Sequence, residues 1–223
     1  MTKLEKWTEA QGMVVFPSLE ELDIPDCPEL KTWWASSSEG RGDSITPFPV
    51  LRKLTLRYLK NLEKWTEALG IGVFPCLEEL DIHNCSELKT WWASSSQGRG
   101  DSFTPFPVLR KLTLINMTKL EKWTEAQGMV VFPCLEELHI QGCPKLKTWW
   151  EDGSACPNLS ILGIQSCPEL QAIPIGLSSL TSLVINNCPN LMGYAQKGSH
   201  KWSSICHAHR IEINERIVQI RRF

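Results

Sequence analysis

Several features that would assign the 223-residue chain to a class of proteins are missing from its sequence. No apolar run approaches the roughly 20 residues that a membrane span requires, so we expect no span. Basic residues are not in excess, because 23 Lys and Arg stand against 25 Asp and Glu for a net charge of −2. This balance argues against nucleic acid or an anionic membrane surface as a partner. The first residues, MTKLEKWTEAQG, are polar and charged, unlike a secretory signal, which predicts a location in the cytoplasm or the nucleus.

Sequence signatures of catalysis are missing as well. No G-x-x-x-x-G-K-[ST] phosphate-binding loop occurs, and the nine cysteines form no C-x-x-C pair of the kind that binds zinc. His207 and His209 follow Cys206 in a pattern that suits a metal ion, but no further ligand cluster accompanies them. We therefore predict that the chain is not an enzyme and has no catalytic, metal-binding or cofactor-binding residues. In a reducing compartment the cysteines are expected to be thiols.

Internal repetition is what the sequence has in abundance. Residues 16–58 align without a gap with residues 74–116 and differ from them at 8 of 43 positions. The first 17 residues recur unchanged at 117–133. The two offsets are 58 and 116 residues, so a unit of 58 residues has been duplicated with little divergence.

A shorter motif, L-x-x-L-x-[LI] followed by a Cys or apolar residue and a further Leu, fits the chain seven times. The matches begin at Leu19, Leu51, Leu77, Leu109, Leu135, Leu159 and Leu180. Their starts lie 21 to 32 residues apart, and leucine-rich repeats have about 20–29 residues, so the longest spacings contain loop insertions. The two apolar residues of each L-x-[LI] point to one face of a strand, and stacking of the repeats buries that face.

This motif predicts the α/β fold of a right-handed leucine-rich-repeat solenoid, with a parallel β-sheet on the concave face. We expect mostly irregular or short-helical convex arcs, because Pro and Gly interrupt the returning segments. The predicted divisions are a partial repeat in residues 1–18, seven repeats in 19–201, and a closing strand with a tail in 202–223. The closing strand, an eighth, is expected near Arg210–Ile213.

The segments FPCLEELDIHNCSELK and LHIQGCPKLK resemble the C-terminal repeats of plant coiled-coil NB-ARC leucine-rich-repeat disease-resistance proteins. The tail that contains Trp202, Ile205, Ile211 and Ile213 is similar to the end of such proteins. The resemblance implies a protein-binding module of a plant intracellular immune receptor. Such a module recognises a pathogen effector or a guarded host protein and restrains an NB-ARC module.

Two alternatives to this function stay open. Met1 takes the position that Met117 has in the duplicated unit, in the middle of a repeat, from which we expect a truncated product. Such a product would act as a stand-alone adaptor or decoy, or it would be a degenerate receptor fragment without the NB-ARC signalling part. The DNA upstream of Met1 distinguishes these alternatives, because an open frame with a phosphate loop supports the receptor.

Residues that contact a partner are expected on the strand faces and strand ends, especially where the near-identical units differ. Acidic and basic pairs alternate from strand to strand, and we expect them to neutralise one another along a ladder. These pairs are Glu20-Glu21, Arg52-Lys53, Glu78-Glu79, Arg110-Lys111 and Glu136-Glu137. The residues predicted to contact a partner are Pro25, Asp26, Arg57, Tyr58, His83, Asn84, Ile115, Asn116, His139 and Gln141.

The repeated cysteines and tryptophans each have a structural and a functional interpretation. Cys27, Cys85, Cys143, Cys167 and Cys188 share one motif position, which favours a column of small buried side chains over metal or redox chemistry. The Trp-Trp pairs at 33–34, 91–92 and 149–150, with Trp7, Trp65 and Trp123, are assigned to packing of the convex arcs. An exposed aromatic row that binds a partner is the alternative. The Gly-Arg-Gly-Asp-Ser segments at 40–44 and 98–102 are interpreted as solvated loops and not as adhesion signals.

Overall fold

The structure, a computed structural model, describes residues 6–8, 16–35, 48–66, 74–92, 106–124, 132–149 and 153–221. The strands, in chain order, are β1 (Lys6–Thr8), β2 (Glu21–Pro25), β3 (Thr32–Ala35), β4 (Lys53–Arg57), β5 (Lys64–Thr66), β6 (Glu79–His83), β7 (Thr90–Trp92), β8 (Lys111–Ile115), β9 (Lys122–Thr124), β10 (Glu137–Gln141), β11 (Ile161–Gln165), β12 (Ser182–Asn186), β13 (Arg210–Ile213) and β14 (Arg216–Ile220). The helices are two 3-10 helices, Gly153–Ala155 and Pro189–Ala195, and one α-helix, α1 (His200–Ile205). No helix in these ranges combines the length and the apolar character that a bilayer crossing needs.

The main sheet has the order β14-β13-β12-β11-β10-β8-β6-β4-β2. All neighbours from β2 to β13 are parallel and keep one register, so that Leu54, Leu80 and Leu112 lie side by side. The strands predicted from the seven motifs are confirmed, and so is the eighth at Arg210–Ile213, which pairs in parallel with β12. The chain is a leucine-rich-repeat solenoid of the α/β class, with this sheet on its concave face.

The core lies under the sheet because the inward residues of each L-x-[LI] are apolar. In β6, Leu80 and Ile82 are fully buried, and the three residues that alternate with them face outward. The same alternation holds in β4, β8, β10, β11 and β12. Leu22 of β2 is only half-buried, because β2 has a neighbour on one side alone within the described sheet.

A column of phenylalanines forms a second layer of the core. Its members, Phe16, Phe48, Phe74, Phe106 and Phe132, each stand three residues before a motif start. Neighbouring rings stack with centroids 5.4 to 6.1 Å apart and with planes within 12° of parallel. The constant sequence offset between ring and strand therefore makes the ring spacing follow the strand spacing.

A left-handed turn follows each of the eight parallel strands of the main sheet. The turn residues have φ between 49° and 65°, and they are Asp26, Tyr58, Asn84, Asn116, Gly142, Ser166, Asn187 and Asn214. Gly, Asn and Asp tolerate this conformation best, which explains most of the column. From Asp26 to Ser166, each turn N–H donates to the carbonyl of the last residue of the next strand at 2.8–2.9 Å. Each turn therefore adds one further hydrogen bond to the ladder of the sheet.

The convex arcs differ from the expectation in one respect. Instead of irregular or short-helical segments alone, the arcs contain short parallel strands, in the sheets β1-β3-β5 and β7-β9. Thr-Trp-Trp and Lys-Trp-Thr are rich in aromatic and β-branched residues, which favour strands, and they recur at constant offsets that let neighbouring backbones pair. The 3-10 helices and α1 occur only beyond Gly153 within the described residues.

Part of the aromatic and loop predictions falls outside what the structure describes. Both Gly-Arg-Gly-Asp-Ser segments lie outside the described residues, as do the side chains of Trp7, Trp65, Trp123, Trp150 and the pairs at 33–34 and 91–92. Trp149 is buried, and its indole N–H donates to the Ala172 carbonyl at 2.8 Å. At this one position the packing interpretation is confirmed.

The last strand was not predicted. β14 runs antiparallel to β13, and the two are joined by Asn214 and Glu215, which both have positive φ, as in a two-residue hairpin turn.

Before this hairpin, the Ser199 hydroxyl caps α1 by accepting a hydrogen bond from the Trp202 N–H at 3.0 Å.

The cysteines of the motif form a buried column, as predicted. Cys85, Cys143, Cys167 and Cys188 are fully buried, and Cys27 is half-buried. All nine cysteines of the chain are thiols. Burial raises the pKa of Cys85 to about 12. Hydrogen bonding with the Cys143 thiol is the main cause that raises the pKa of Cys167 to about 12.

Truncation of one inward leucine tests the core. Leu80→Ala removes a fully buried side chain between two paired strands, so we expect a loss of roughly 2–5 kcal/mol in the free energy of unfolding, measured by chemical denaturation. Leu22→Ala, at the same motif position in the half-buried β2, is the matched control and should cost less. A loss below about 1 kcal/mol for Leu80→Ala would show that this residue is not in the core.

The buried thiols should resist modification. In the native protein, maleimide should label the exposed Cys76 quickly, whereas Cys85 and Cys167 should react only after unfolding, because they are buried and stay protonated up to about pH 12. Peptide mass spectrometry measures the labelling, and Cys76→Ser should remove the fast phase. Equal labelling of Cys76 and Cys85 in the native protein would contradict the buried column.

The buried thiols should also make the free energy of unfolding depend on pH. Since thiols of the unfolded chain ionise near about pH 8.5, this free energy should fall as the pH rises from there towards 12.

Candidate functional site

The outward side chains of the parallel strands form three rows across the concave face. The first row is Glu21, Lys53, Glu79, Lys111, Glu137, Ile161, Ser182 and Arg210. The middle row is Asp23, Thr55, Asp81, Thr113, His139, Gly163, Val184 and Glu212. The last row is Pro25, Arg57, His83, Ile115, Gln141, Gln165 and Asn186. Equivalent residues are neighbours because the register never shifts between these strands.

Between β4 and β10, ion pairs link the opposite charges of the first row and of the residues just before it, as predicted from the alternating charges. The pairs are Arg52–Glu78 at 2.8 Å, Lys53–Glu79 at 2.8 Å, Arg110–Glu136 at 2.5 Å and Lys111–Glu137 at 3.8 Å. The hydrogen bond between Lys53 and Glu79 raises the pKa of the lysine and lowers the pKa of the carboxyl group. All these side chains are well exposed, so each pair is worth about 0–1 kcal/mol. Their main effect is to leave this part of the face without a net charge.

A hollow of about 240 Å³ opens on the concave face where β8, β10, β11 and β12 meet. Gly163 has no side chain in the middle row, and the His139 imidazole lies across part of the space that this leaves beside the hollow. The apolar side chains around this space are Ile115, Ile161 and Val184, and the polar ones are His139, Gln141 and Gln165. The hollow is open and shallow, which suits a protruding side chain better than an enclosed small molecule.

The position of the His139 ring depends on the absence of a side chain at Gly163. A β-carbon on Gly163 would lie 2.7 Å from His139 Nδ1, so the imidazole lies across the strand position that the glycine leaves open. His139 Nε2 lies 3.9 Å from a carboxylate oxygen of Glu137 on the same strand. The ring therefore forms one wall of the hollow, and any larger residue at 163 would have to displace it.

The structure brings together three of the ten residues predicted to contact a partner. Ile115, His139 and Gln141 line the hollow. Pro25, Arg57 and His83 belong to the same last row at a distance from it, and Arg57 forms a bidentate ion pair with Asp23 on the neighbouring strand.

The other four predicted residues occupy the left-handed turns. They are Asp26, Tyr58, Asn84 and Asn116. The Asn116 amide donates to the Asn84 side-chain oxygen at 3.0 Å, so these two side chains also bond to each other across the turns. Asp and Asn adopt a positive φ more readily than most residues, so the turn conformation explains the residue type at Asp26, Asn84 and Asn116.

Tyr58 is the exception in this column. Its φ is 60°, where a bulky side chain is strained, and its side chain is 49% exposed. The equivalent residue in the other copy of the duplicated unit is Asn116, for which the same turn is easy to adopt. The turn conformation therefore does not explain the tyrosine, whose side chain is half exposed at the surface.

Several outward residues of the hollow were not predicted as partner contacts, among them Gly163, Gln165 and Val184. Gly163 and Val184 share the column of His139, and Gln165 shares the column of Gln141, and both of these residues are predicted contacts. The selection relied on differences between duplicated units, and β11 and β12 lie outside that duplication. Placing the last two motifs in the same columns would have identified them.

The His207–His209 pattern has a structural explanation. His207 Nε2 lies 2.8 Å from the Leu177 carbonyl, and because a carbonyl only accepts, this nitrogen carries the proton. Among the described residues, no group of three or more His, Cys, Asp or Glu side chains is placed to hold a metal ion.

Comparison with protein families matches residues 48–167 to plant disease resistance protein RPS2-like leucine-rich repeats. The probable disease resistance proteins RF45 and RDL5 of Arabidopsis thaliana are each 25% identical over 190 residues, which cover 78% of this chain and 18% of theirs. The putative disease resistance protein RGA4 of Solanum bulbocastanum is 30% identical over 137 residues, 61% of this chain and 14% of that protein. The chain thus spans less than a fifth of the length of these relatives. No solved structure matches significantly.

Proposed function

The chain belongs to the leucine-rich-repeat family of plant disease-resistance proteins, and we propose that it is the protein-recognition module of an intracellular immune receptor. Its ligand is a pathogen effector or a guarded host protein, and in the resting state it restrains an NB-ARC module. The role is binding and not catalysis.

The observation that carries this proposal is the concave face itself. Eight parallel strands present three rows of outward side chains, and at about 4.8 Å per strand the rows extend over roughly 34 Å. A surface of this length matches a protein epitope, since a standard interface buries about 800 Å² on each partner. The relatives are named as disease resistance proteins, which supports an immune partner.

Within this face, the last row and its turns are the best candidates for specificity. The first row is largely occupied by its own ion pairs, whereas Tyr58 and His83 are both partly exposed, and the Tyr58 N–H donates to the His83 carbonyl at 2.9 Å. Aromatic side chains are enriched among the residues that dominate binding energy. Arg57 and Tyr58 also replace Ile115 and Asn116 of the other unit, so the two copies present different chemistry at the same place.

Exchange of residues between the two copies tests the proposal. The double variant Arg57→Ile with Tyr58→Asn gives the first unit the strand end of the second, whose backbone conformation is the same. Candidate partners are a panel of secreted pathogen proteins, host defence proteins and NB-ARC modules, tested by co-precipitation with the full chain and then by calorimetry. We expect the double variant to weaken binding by about 10-fold or more, as for loss of a central anchor. Tyr58→Asn alone should stabilise the fold by roughly 1 kcal/mol, because the turn strain is relieved.

Pro28→Ser is the matched control. It makes the same kind of exchange, with Ser86 as its counterpart, at an exposed residue after the turn and outside the three rows. Binding should be unchanged by Pro28→Ser. Binding that survives the double variant but is lost in Pro28→Ser would place recognition away from the concave face and would contradict the proposal.

A further inference from the structure

The hollow above Gly163 differs in chemistry from the rest of the concave face. Between β4 and β10 the first row consists of paired charges, but in β11 and β12 the same row contains Ile161 and Ser182. Three apolar side chains, Ile115, Ile161 and Val184, therefore face a common space whose lining contains no Asp, Glu, Lys or Arg. Transfer of a charged group into such a space would be unfavourable, whereas an apolar group would gain from it.

The size of the hollow fits one large apolar side chain. Its volume is about 240 Å³, and a dry cavity of about 150 Å³ already accommodates benzene. A leucine or phenylalanine side chain fits with room for the adjoining backbone. The open mouth means that such a side chain must be presented from above the sheet by a chain that stays outside.

Amide side chains stand beside this space at the end of the strands. Gln141 and Gln165 are adjacent in the last row and exposed, and Asn186 follows them. Within the part of the chain that the structure describes, neither glutamine side chain has a hydrogen-bond partner, whereas the Asn186 side-chain oxygen accepts from the Glu215 N–H at 3.0 Å. A glutamine amide both donates and accepts, which is the complement of a peptide backbone.

From these features, and given the proposed role in protein recognition, we propose that the hollow is an anchor site for one uncharged apolar side chain in an extended segment of the partner protein. The apolar walls hold the side chain, and Gln141 and Gln165 hydrogen-bond to the backbone on either side of it. Charge supports this occupant over an acidic or basic segment. The charged side chains of the first row on β8 and β10 pair with each other, and the lining residues introduce no Asp, Glu, Lys or Arg.

Short peptides test the anchor site directly. The probes are blocked peptides of sequence Ser-Asn-X-Asn-Ser, with Leu, Phe, Asp or Lys at X, titrated into the ¹⁵N-labelled full chain. The Leu and Phe peptides should shift the backbone amide resonances of Gly163, Gln165 and Val184, and the Asp and Lys peptides should not. Shifts by all four peptides alike, shifts only at other residues, or no shift up to the solubility limit of the Leu and Phe peptides would overturn the proposal.

Two variants should weaken the binding that causes these shifts, by different means. Gly163→Val fills the hollow with a side chain that suits a strand. Ile115→Arg places a charge on its wall and copies Arg57 of the equivalent position, where the fold accommodates it. Each variant should weaken the binding of the Leu peptide by about 10-fold or more. Thr55→Val adds the same side chain to the middle row on β4, away from the hollow, and should leave the affinity unchanged. Gly163→Val would displace the His139 ring and could therefore fail to fold. In that case Ile115→Arg is the test, and an affinity for the Leu peptide that Ile115→Arg leaves unchanged overturns the proposal.

Partner proteins separate this inference from the proposed function. If an immune partner found by co-precipitation binds the wild type and Ile115→Arg equally well, the anchor site is wrong and the proposed function stands. If the Leu peptide binds at Gly163 but every immune partner in the panel fails to bind, the anchor site stands and the proposed function loses its support.

Discussion

Constant register between parallel strands is the constraint on which the rest of the structure depends. Because Leu54, Leu80 and Leu112 are neighbours, every other motif position is also a neighbour of its equivalents. The phenylalanine rings stack, the cysteines share a column, and the turns donate to the next strand for this one reason. The environment of each column then favours one kind of residue. Apolar residues occur in the buried columns, Asn, Asp or Gly at most turns, and residues of opposite charge in neighbouring strands where a column faces water.

The concave face changes character where the duplication ends. Inside the duplicated units, basic and acidic residues alternate at the same motif positions, so that between β4 and β10 they pair and cancel their charges. At β11 the pattern stops, and Ile161 and Gly163 leave an uncharged hollow beside His139. A repetitive sequence thus provides a regular, self-paired surface, and the departure from repetition creates a place with distinct binding chemistry. Tyr58 is a smaller departure of the same kind, at a turn where an asparagine would be less strained.

The sequence predicts features that one motif position determines by itself. The strands, the inward leucines and the alternating charges are of this kind, and the structure confirms them. Features that depend on two segments meeting were harder to predict. The short arc strands need neighbouring Trp-containing segments to pair, β14 needs the turn at Asn214 and Glu215, and the hollow needs the absence of a side chain at Gly163 between two larger neighbours. Two of the predicted contact residues, Asn84 and Asn116, lie in left-handed turns. Asparagine adopts this backbone conformation readily, so the turn by itself explains the residue type at these positions.

Amide hydrogen exchange of the native chain, resolved by residue, tests the constant register most directly. The N–H groups of Tyr58, Asn84, Asn116 and Gly142 each donate to the strand beside them, outside the strands themselves. In-register stacking therefore predicts that these turn amides exchange slowly, together with the amides of the strands that precede them. Fast exchange at the four turns, with protection confined to the strands, would mean that the columns do not continue beyond the strands, and it would contradict the continuous face on which recognition depends.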